Sequence, residues 1–431
     1  MKKPKDLKPS TLSLHAGQRP DTDFGARATP IYQSSSFVFP DTETAAGVFN
    51  AERAGHVYSR ITNPTNAVLE ERISALEGGV GAIATSSGQA ALVLAITTIL
   101  EKGSHLIASK SLYGGSHNLL EYTLPRFGIE TTFVDLRKAN EVKKSIKKNT
   151  KLIFGETLAN PGLDVLNIPK ISKIAHENNI PLLVDSTFTT PYLMKPFSLG
   201  ADLIFHSATK FLSGHGVVIG GLLVDSGNFA WNSSSKFKTL TEPYKGFHDM
   251  NFVEEYGPAA YINRARKEGA RDFGACMSPH TAFLVLQGME TLNIRMEKHI
   301  QNTRSIIEFL NSHKSVKSVC YPELEDHPDH VLANDLLPYG CGAVFTFELE
   351  GNVETGKKFI EQLNIFSHLA NVGDAKSLVI HPASTTHHRM DALALKKGGM
   401  SESTIRLSIG IEDSEDLIED LDEALTYSTR K

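Results

Sequence analysis

Along most of its length the chain alternates short, continuous apolar runs with longer amphipathic stretches. The runs at 81–84, 105–108, 131–134, 152–155, 181–184 and 203–205 read as buried strands, and helical spacing fills 116–126, 139–147 and 168–178 between them. Strands apolar on both faces that alternate with amphipathic helices predict an α/β fold with a mostly parallel sheet and helices on both faces. In such sheets ligands gather at the carboxyl ends of the strands.

Asn63-Pro64-Thr65 opens a helix with Pro in its first turn, continued by Val68, Leu69, Ile73 and Leu76 and stopped by Gly78-Gly79. A further helix is expected over 90–100. Residues 1–60 are irregular, with one short helical pattern near 42–52, and a segment so rich in loops is expected to drape over its own domain or a partner subunit. Residues 227–275 break the alternation with the only Trp, Trp231, a serine run and many charges, and read as a long excursion with some helix near the mouth of a site. One helical pattern then runs from Ser278 towards Ser312. Strands at 316–320, 343–349, 378–381 and 404–409 alternate with helices near 355–363 and 414–427, a smaller α/β domain of its own. The expected division is an arm over 1–60, a large domain over 61–275 and a C-terminal domain over 276–431.

Composition changes this picture little. A chain of 431 residues can bury a large core, and a net charge of −5 argues against nucleic acid or an anionic membrane as the main partner. No apolar run approaches the length of a membrane span, and the basic start Met1-Lys2-Lys3 is followed by no apolar signal region, so a cytoplasmic protein is expected. Cys276, Cys320 and Cys341 have no ligand-like spacing and read as buried structural thiols; no metal site is expected, although His381, His387 and His388 lie close in sequence.

The chemistry-bearing positions fall at strand ends. Lys210, in Ser207-Ala208-Thr209-Lys210, follows the run ending at Phe205; its amine would be a nucleophile towards aldehydes if its pKa were lowered, although taken alone it reads first as a solvated loop lysine, and only the rest of the chain overturns that. Thr85-Ser86-Ser87-Gly88-Gln89 lies between a strand and a helix start, a cradle for phosphate or a plain N-cap. Asp185 closes one strand and either serves a ligand or caps a turn; Tyr113 and Asn160 follow two others. Tyr58 and Arg60 present a phenol and a guanidinium that suit anion binding or simply pack, and Arg406, in an alternating strand, is a carboxylate clamp or an edge charge.

With Tyr58-Ser59-Arg60, Ser86-Ser87-Gly88, Leu112-Tyr113-Gly114, Val184-Asp185-Ser186-Thr187 and Ser207-Ala208-Thr209-Lys210 placed in this order, the chain resembles the pyridoxal-phosphate (PLP) enzymes of cysteine and methionine metabolism, the cystathionine-type enzymes of fold type I, from about residue 10 to 428. The resemblance implies a mostly parallel sheet of seven strands plus the smaller C-terminal domain, and pyridoxal 5′-phosphate as cofactor. It implies that Lys210 carries the cofactor covalently and then moves protons, and that Asp185 keeps the pyridine nitrogen protonated. Gly88, Gln89, Ser207 and Thr209 would bind the phosphate, completed by Tyr58 and Arg60 from a neighbouring subunit. Tyr113 would lie over the ring and assist proton transfer, Thr187 would support the ring and Asn160 would bond its oxygen. Arg406 would take the substrate carboxylate. A homo-oligomer follows, with a tetramer of site-sharing dimers implied.

Gly115 stands where methionine γ-lyases of the family carry Cys, and Asn371, in Ala370-Asn371-Val372-Gly373, stands where lyases and cystathionine enzymes carry Ser. These positions, with Gln89, 380–387 and the long excursion, resemble the O-acetylhomoserine sulfhydrylase branch. The expected reaction is γ-replacement on O-acetyl-L-homoserine by sulfide or a small thiol, giving homocysteine and acetate in methionine biosynthesis, with Asn371 and Tyr58 beside the substrate. Methionine γ-lyase and cystathionine γ-synthase activities are the alternatives within the family. A serine hydrolase reading of S-x-x-K lacks its companion motifs, and a binding protein without turnover has no use for nucleophile, carboxylate and clamp together.

Overall fold

Asn63 starts the first long helix with its side chain: Oδ1 accepts from the Thr65 N–H at 2.9 Å, Pro64 occupies the first turn, and Gly78, at φ 82°, ends the helix Pro64–Glu77. The helix leads into the first strand of a sheet that organises the molecule. The structure, a computed structural model, describes residues 7–50, 52–159, 162–385 and 401–428. Asn160, His387 and His388 lie outside the described residues.

Seven strands form the large sheet: β1 (Gly81–Thr85), β2 (His105–Ser109), β3 (Glu130–Val134), β4 (Thr150–Glu156), β5 (Leu182–Asp185), β6 (Leu203–Ser207) and β7 (Gly221–Asp225). Their order is β1-β7-β6-β5-β4-β2-β3, and β7 alone runs against its neighbours β1 and β6. This is the mostly parallel α/β sheet that the apolar runs predict, with β7 supplied by the run after the lysine loop. One core lies on the face covered by Pro64–Glu77, Ile168–Glu177 and the C-terminal half of the chain. The other lies beneath Gly88–Ile99 and the excursion.

The smaller sheet comprises β8 (Val316–Cys320), β9 (Val344–Leu349), β10 (Ser367–His368), β11 (Leu378–Ile380) and β12 (Thr404–Ser408), in the order β10-β11-β12-β9-β8. The helices Val353–Gln362 and Ser414–Ser428 pack together beside it.

Several expectations need correction. The helix expected over 116–126 is three pieces, Gly114–Asn118, a widened turn Leu119–Thr123 and a tight turn Leu124–Phe127, because Pro125 has no N–H for a regular ladder. The pattern from 278 to 312 breaks at Thr291 into Pro279–Glu290 and Leu292–Ser312. The first sixty residues hold a second helix, Pro9–His15, held by Arg72 Nε donating to the Ala16 carbonyl at 3.1 Å. The excursion, expected near the mouth of a site with some helix, holds that helix but packs an aromatic layer against the sheet: Trp231 is 3% exposed and stacks on Tyr261 with ring centroids 5.2 Å apart. Cys276 is exposed, unlike buried Cys341.

Candidate active site

The carboxyl ends of β1, β4, β5 and β6 open on a cavity of about 350 Å³, closed on its far side by Ala370, Asn371, Val372 and Arg406 from the C-terminal half. That volume suits a small cofactor with part of its substrate. Ser87, Gly88, Gln89, Tyr113, Asp185, Thr187, Ser207, Thr209 and Lys210 all line it. A larger, more open groove of about 1290 Å³ lies between the N-terminal segment and the Pro64–Glu77 helix and touches none of them.

At one end of the cavity, β1 turns into the helix Gly88–Ile99. Ser87 caps it, its Oγ accepting from the Ala90 N–H at 3.1 Å, and the first amides of the helix are left to face a ligand. Gly88 is required by close approach, since a Cβ there would lie 2.8 Å from the Ser207 Cβ. The result is a cradle of amides and hydroxyls from Gly88, Gln89, Ser207 and Thr209; Thr209 Oγ1 is fixed by the Gly220 N–H at 3.1 Å.

Asp185 lines the same cavity. Thr187 donates to Asp185 Oδ1 from its N–H at 2.9 Å and from its hydroxyl, while the same hydroxyl oxygen accepts from the Ser207 N–H at 2.9 Å, tying β5 to β6. Burial pushes the Asp185 carboxyl up, opposed by the Thr187 bonds and by the charges of His206 and Lys210. A cationic N–H brought against it would find an acceptor already oriented. His206 turns to the other face of β6 and pairs with buried Glu77 at 2.7 Å.

Lys210 lines the cavity too, and its amine donates to Asn371 Oδ1. Burial first, then the charge of Arg406, lowers it to about 8, against the pull of Asp185. Arg406, on β12, donates to the Asn371 carbonyl at 3.4 Å, and burial lowers its guanidinium to about 10. Tyr113 is held by its N–H donating to Glu156 Oε1 at 2.6 Å. A Cβ on Gly115 would lie 2.6 Å from the Tyr113 ring and 2.8 Å from Gln89 Nε2, so any larger residue there displaces the ring.

Two residues escaped the sequence reading. Glu156 ends β4 and lines the cavity; as a carboxylate closing a buried strand it gave the same signal as Asp185. Arg295 gave none: buried in Leu292–Ser312, it donates to the carbonyls of Phe211 at 2.9 Å and Gly288 at 2.7 Å, fixing the turn that carries Lys210. Tyr58 and Arg60 do not line the cavity of their own chain and are exposed, with the Arg60 guanidinium 5.4 Å from the Tyr58 ring centroid.

A lysine amine near neutrality, a buried carboxylate and a helix-end cradle in one cavity define a site for a phosphate-bearing aldehyde cofactor. Residues 10–426 match the family described as Cys/Met metabolism PLP-dependent enzyme, and the chain belongs to that family. It is 46% identical to an O-acetyl-L-homoserine sulfhydrylase of Leptospira meyeri, across 98% of this chain and 97% of that one. It is 44% identical to a homocysteine synthase of Schizosaccharomyces pombe, across 96% and 97%. Among solved structures it resembles a protein of Campylobacter jejuni provisionally named O-acetylhomoserine (thiol)-lyase, with N′-pyridoxyl-lysine-5′-monophosphate at one position. That likeness has a TM-score of 0.94 and 37% identity over 97% of this chain and all 100% of the other. The residues described above fit pyridoxal phosphate in chemistry and in space. Among the described residues no helix is long and apolar enough to cross a membrane, and no group of three or more His, Cys, Asp or Glu could hold a metal.

Proposed function

We propose that this enzyme replaces the acetoxy group of O-acetyl-L-homoserine with sulfide or a small thiol, giving L-homocysteine and acetate when sulfide is the nucleophile. The observation that carries the reading is near-full-length likeness to O-acetyl-L-homoserine sulfhydrylase, together with a cavity that gathers the needed groups. The bound pyridoxal phosphate supplies an electron sink that stabilises negative charge on the carbon bearing the substrate amine.

In this reading Lys210 holds the cofactor through its amine and, once displaced by the substrate amine, takes the Cα proton and relays it. An amine near 8 can do both close to neutral pH. Asp185, steadied by Thr187, keeps a proton on the pyridine nitrogen. Gly88, Gln89, Ser207 and Thr209 bind phosphate; Tyr113 covers the ring and assists proton transfer; Asn160 bonds the ring oxygen. Arg406 grips the substrate carboxylate with its planar fork, and Asn371 holds the free amine of Lys210 and faces the substrate. Loss of the Cα and Cβ protons lets acetate leave Cγ with its bonding pair; sulfide then forms the new bond at Cγ and the two protons return.

The phosphate cradle is built from neutral groups alone, and Arg60 with Tyr58 would supply the missing cation from a neighbouring copy. Exposed apolar residues on the same arm, Phe24, Val38 and Phe49, support a covered surface there. The reading therefore takes the protein as a homo-oligomer whose dimer shares its sites, in a cytoplasmic tetramer, with residues 1–60 as an arm, 61–275 as the cofactor domain and 276–431 as the C-terminal domain.

The test is a product assay with O-acetylhomoserine and sulfide beside methionine alone. Homocysteine and acetate from the first, with little ketoacid from the second, are expected. Ketoacid and thiol from methionine would move the enzyme to the γ-lyases, and cystathionine formed preferentially from added cysteine would move it to the γ-synthases.

A further inference from the structure

The excursion's last part, a widened helical turn at Ala265–Ala270, takes no part in the cavity, yet it carries a guanidinium placed unusually well. Turns of this kind insert a residue into a helix and so re-aim the side chains around it. Arg266 Nη2 donates to Glu70 Oε2 at 2.7 Å and to the Ala82 carbonyl at 2.7 Å. Its Nη1 donates to the Ile61 carbonyl at 3.2 Å and to Glu70 Oε1 at 3.3 Å. One side chain thus joins the excursion, the Pro64–Glu77 helix, the open edge of β1 and the residue directly after Arg60.

That last bond matters because residues 58–62 form a tight turn. The N–H groups of Ile61 and Thr62 donate to the Tyr58 carbonyl at 2.9 and 3.1 Å, so holding the Ile61 carbonyl fixes the turn that presents Tyr58 and Arg60. The same excursion meets Arg60 again, since Arg60 Nη1 donates to the Arg271 carbonyl. Its own mount is firm: Arg264, two residues before Arg266, lies 3.9 Å from the Tyr244 ring centroid and 5.0 Å from that of Phe252, and Lys267 lies 4.4 Å from that of Phe247.

We infer that Arg266 is a positioning residue for the neighbouring subunit's active site: it braces the Tyr58–Arg60 turn that reaches across to the other copy's phosphate cradle. This rests on the shared-site reading above. It assigns the excursion a task, coupling the packed face of one subunit's sheet to cofactor retention in the next. The competing role is internal. Arg266 and Glu70 also satisfy the edge of β1, the Ala84 N–H donating to Glu70 Oε1 at 2.9 Å, and β1 leads into the chain's own cradle. An internal role would damage the chain's own site; a brace damages its neighbour's.

Mixed oligomers separate the two. Arg266→Met, which removes the fork and keeps the stem, and Arg60→Met would each be co-expressed with Lys210→Ala, using two affinity tags to isolate heteromers. The only competent lysine then sits in the Arg266→Met chain, and its arm comes from a chain with an intact Arg266. Cofactor Kd and substrate KM are read because neither depends on the mixing ratio. As a homo-oligomer, Arg266→Met should bind pyridoxal phosphate about tenfold or more weakly, and its heteromer with Lys210→Ala should return to wild-type values. A homo-oligomer with wild-type Kd, or a heteromer still impaired while the Arg60→Met heteromer is restored, would overturn the brace. If the Arg60→Met heteromer also stays impaired, the shared-site reading itself fails, and the brace with it. Arg266→Lys, which keeps the charge beside Glu70 and loses the fork, serves the same comparison if the Met variant does not fold.

Discussion

Lys210 sits in an environment that changes the chemistry its amine has in water. Its amine falls from its ordinary value near 10.5 to about 8, chiefly through burial and then through the positive charge of Arg406. At neutral pH this raises the neutral, nucleophilic fraction by about two orders of magnitude. Because only the neutral amine attacks an aldehyde, capture of pyridoxal phosphate by the apoenzyme should accelerate as pH rises through about 8 and level off above it. Replacing Arg406 by Leu removes a charge that favours the neutral amine, so the midpoint should move upward. Stopped-flow absorbance of cofactor capture reads both; a midpoint near 10 in the native chain would refute the burial argument. Gly115 is the counterpart at the same scale, a position whose lack of a side chain leaves the Tyr113 ring where it is.

At the scale of elements, strands and helices deliver these groups because backbone polar atoms are satisfied from unexpected distances. The Lys210 turn is neither helix nor strand, and the buried Arg295 closes it by donating to Phe211 and Leu212 carbonyls from a helix more than eighty residues later in the chain. Arg295→Met takes this donor from the Phe211 and Leu212 carbonyls, while that of Gly288 keeps the Thr291 N–H, and we expect a loss of about 3 kcal/mol. A fall in the urea midpoint with faster cofactor loss would be the sign; an unchanged midpoint would mean that the turn holds itself. The break at Thr291, invisible to a periodicity that continues through it, belongs to the same arrangement, since the following helix turns Arg295 back onto Gly288 at 2.7 Å. The burial of the excursion was not legible in its composition for a related reason. Arg264 and Lys267 lie over aromatic rings while Lys238, Glu242 and Glu255 are exposed, so a charged composition there accompanies a buried aromatic layer.

At the scale of the whole molecule, a single chain presents its lysine, carboxylate and neutral phosphate cradle in one cavity while holding Tyr58 and Arg60 elsewhere on its surface. A shared site makes cofactor retention a property of the assembly. Val38, 99% exposed in the single chain, lies on the arm. On the proposed shared site, Val38→Asp should lower the sedimenting mass towards that of a monomer and weaken cofactor binding in step. A monomer that kept native cofactor affinity would show that each chain completes its own site.

Local sequence was sufficient wherever a signal repeats along the chain. Continuous apolar runs determined the strands and their parallel stacking, Asn63-Pro64 and Gly78 determined a helix by its ends, and the order of short motifs determined the family and much of the cavity lining, Gly88, Tyr113, Asp185, Ser207 and Lys210 among it, because those residues follow strand ends. What it could not decide involves partners distant in the chain: that β7 returns antiparallel between β1 and β6, that Glu77 meets His206 across 129 positions, that Arg295 closes the lysine turn and that Arg266 joins Ile61 to β1. A hydrogen bond or a lowered pKa depends on distance and enclosure, and only the folded chain sets those.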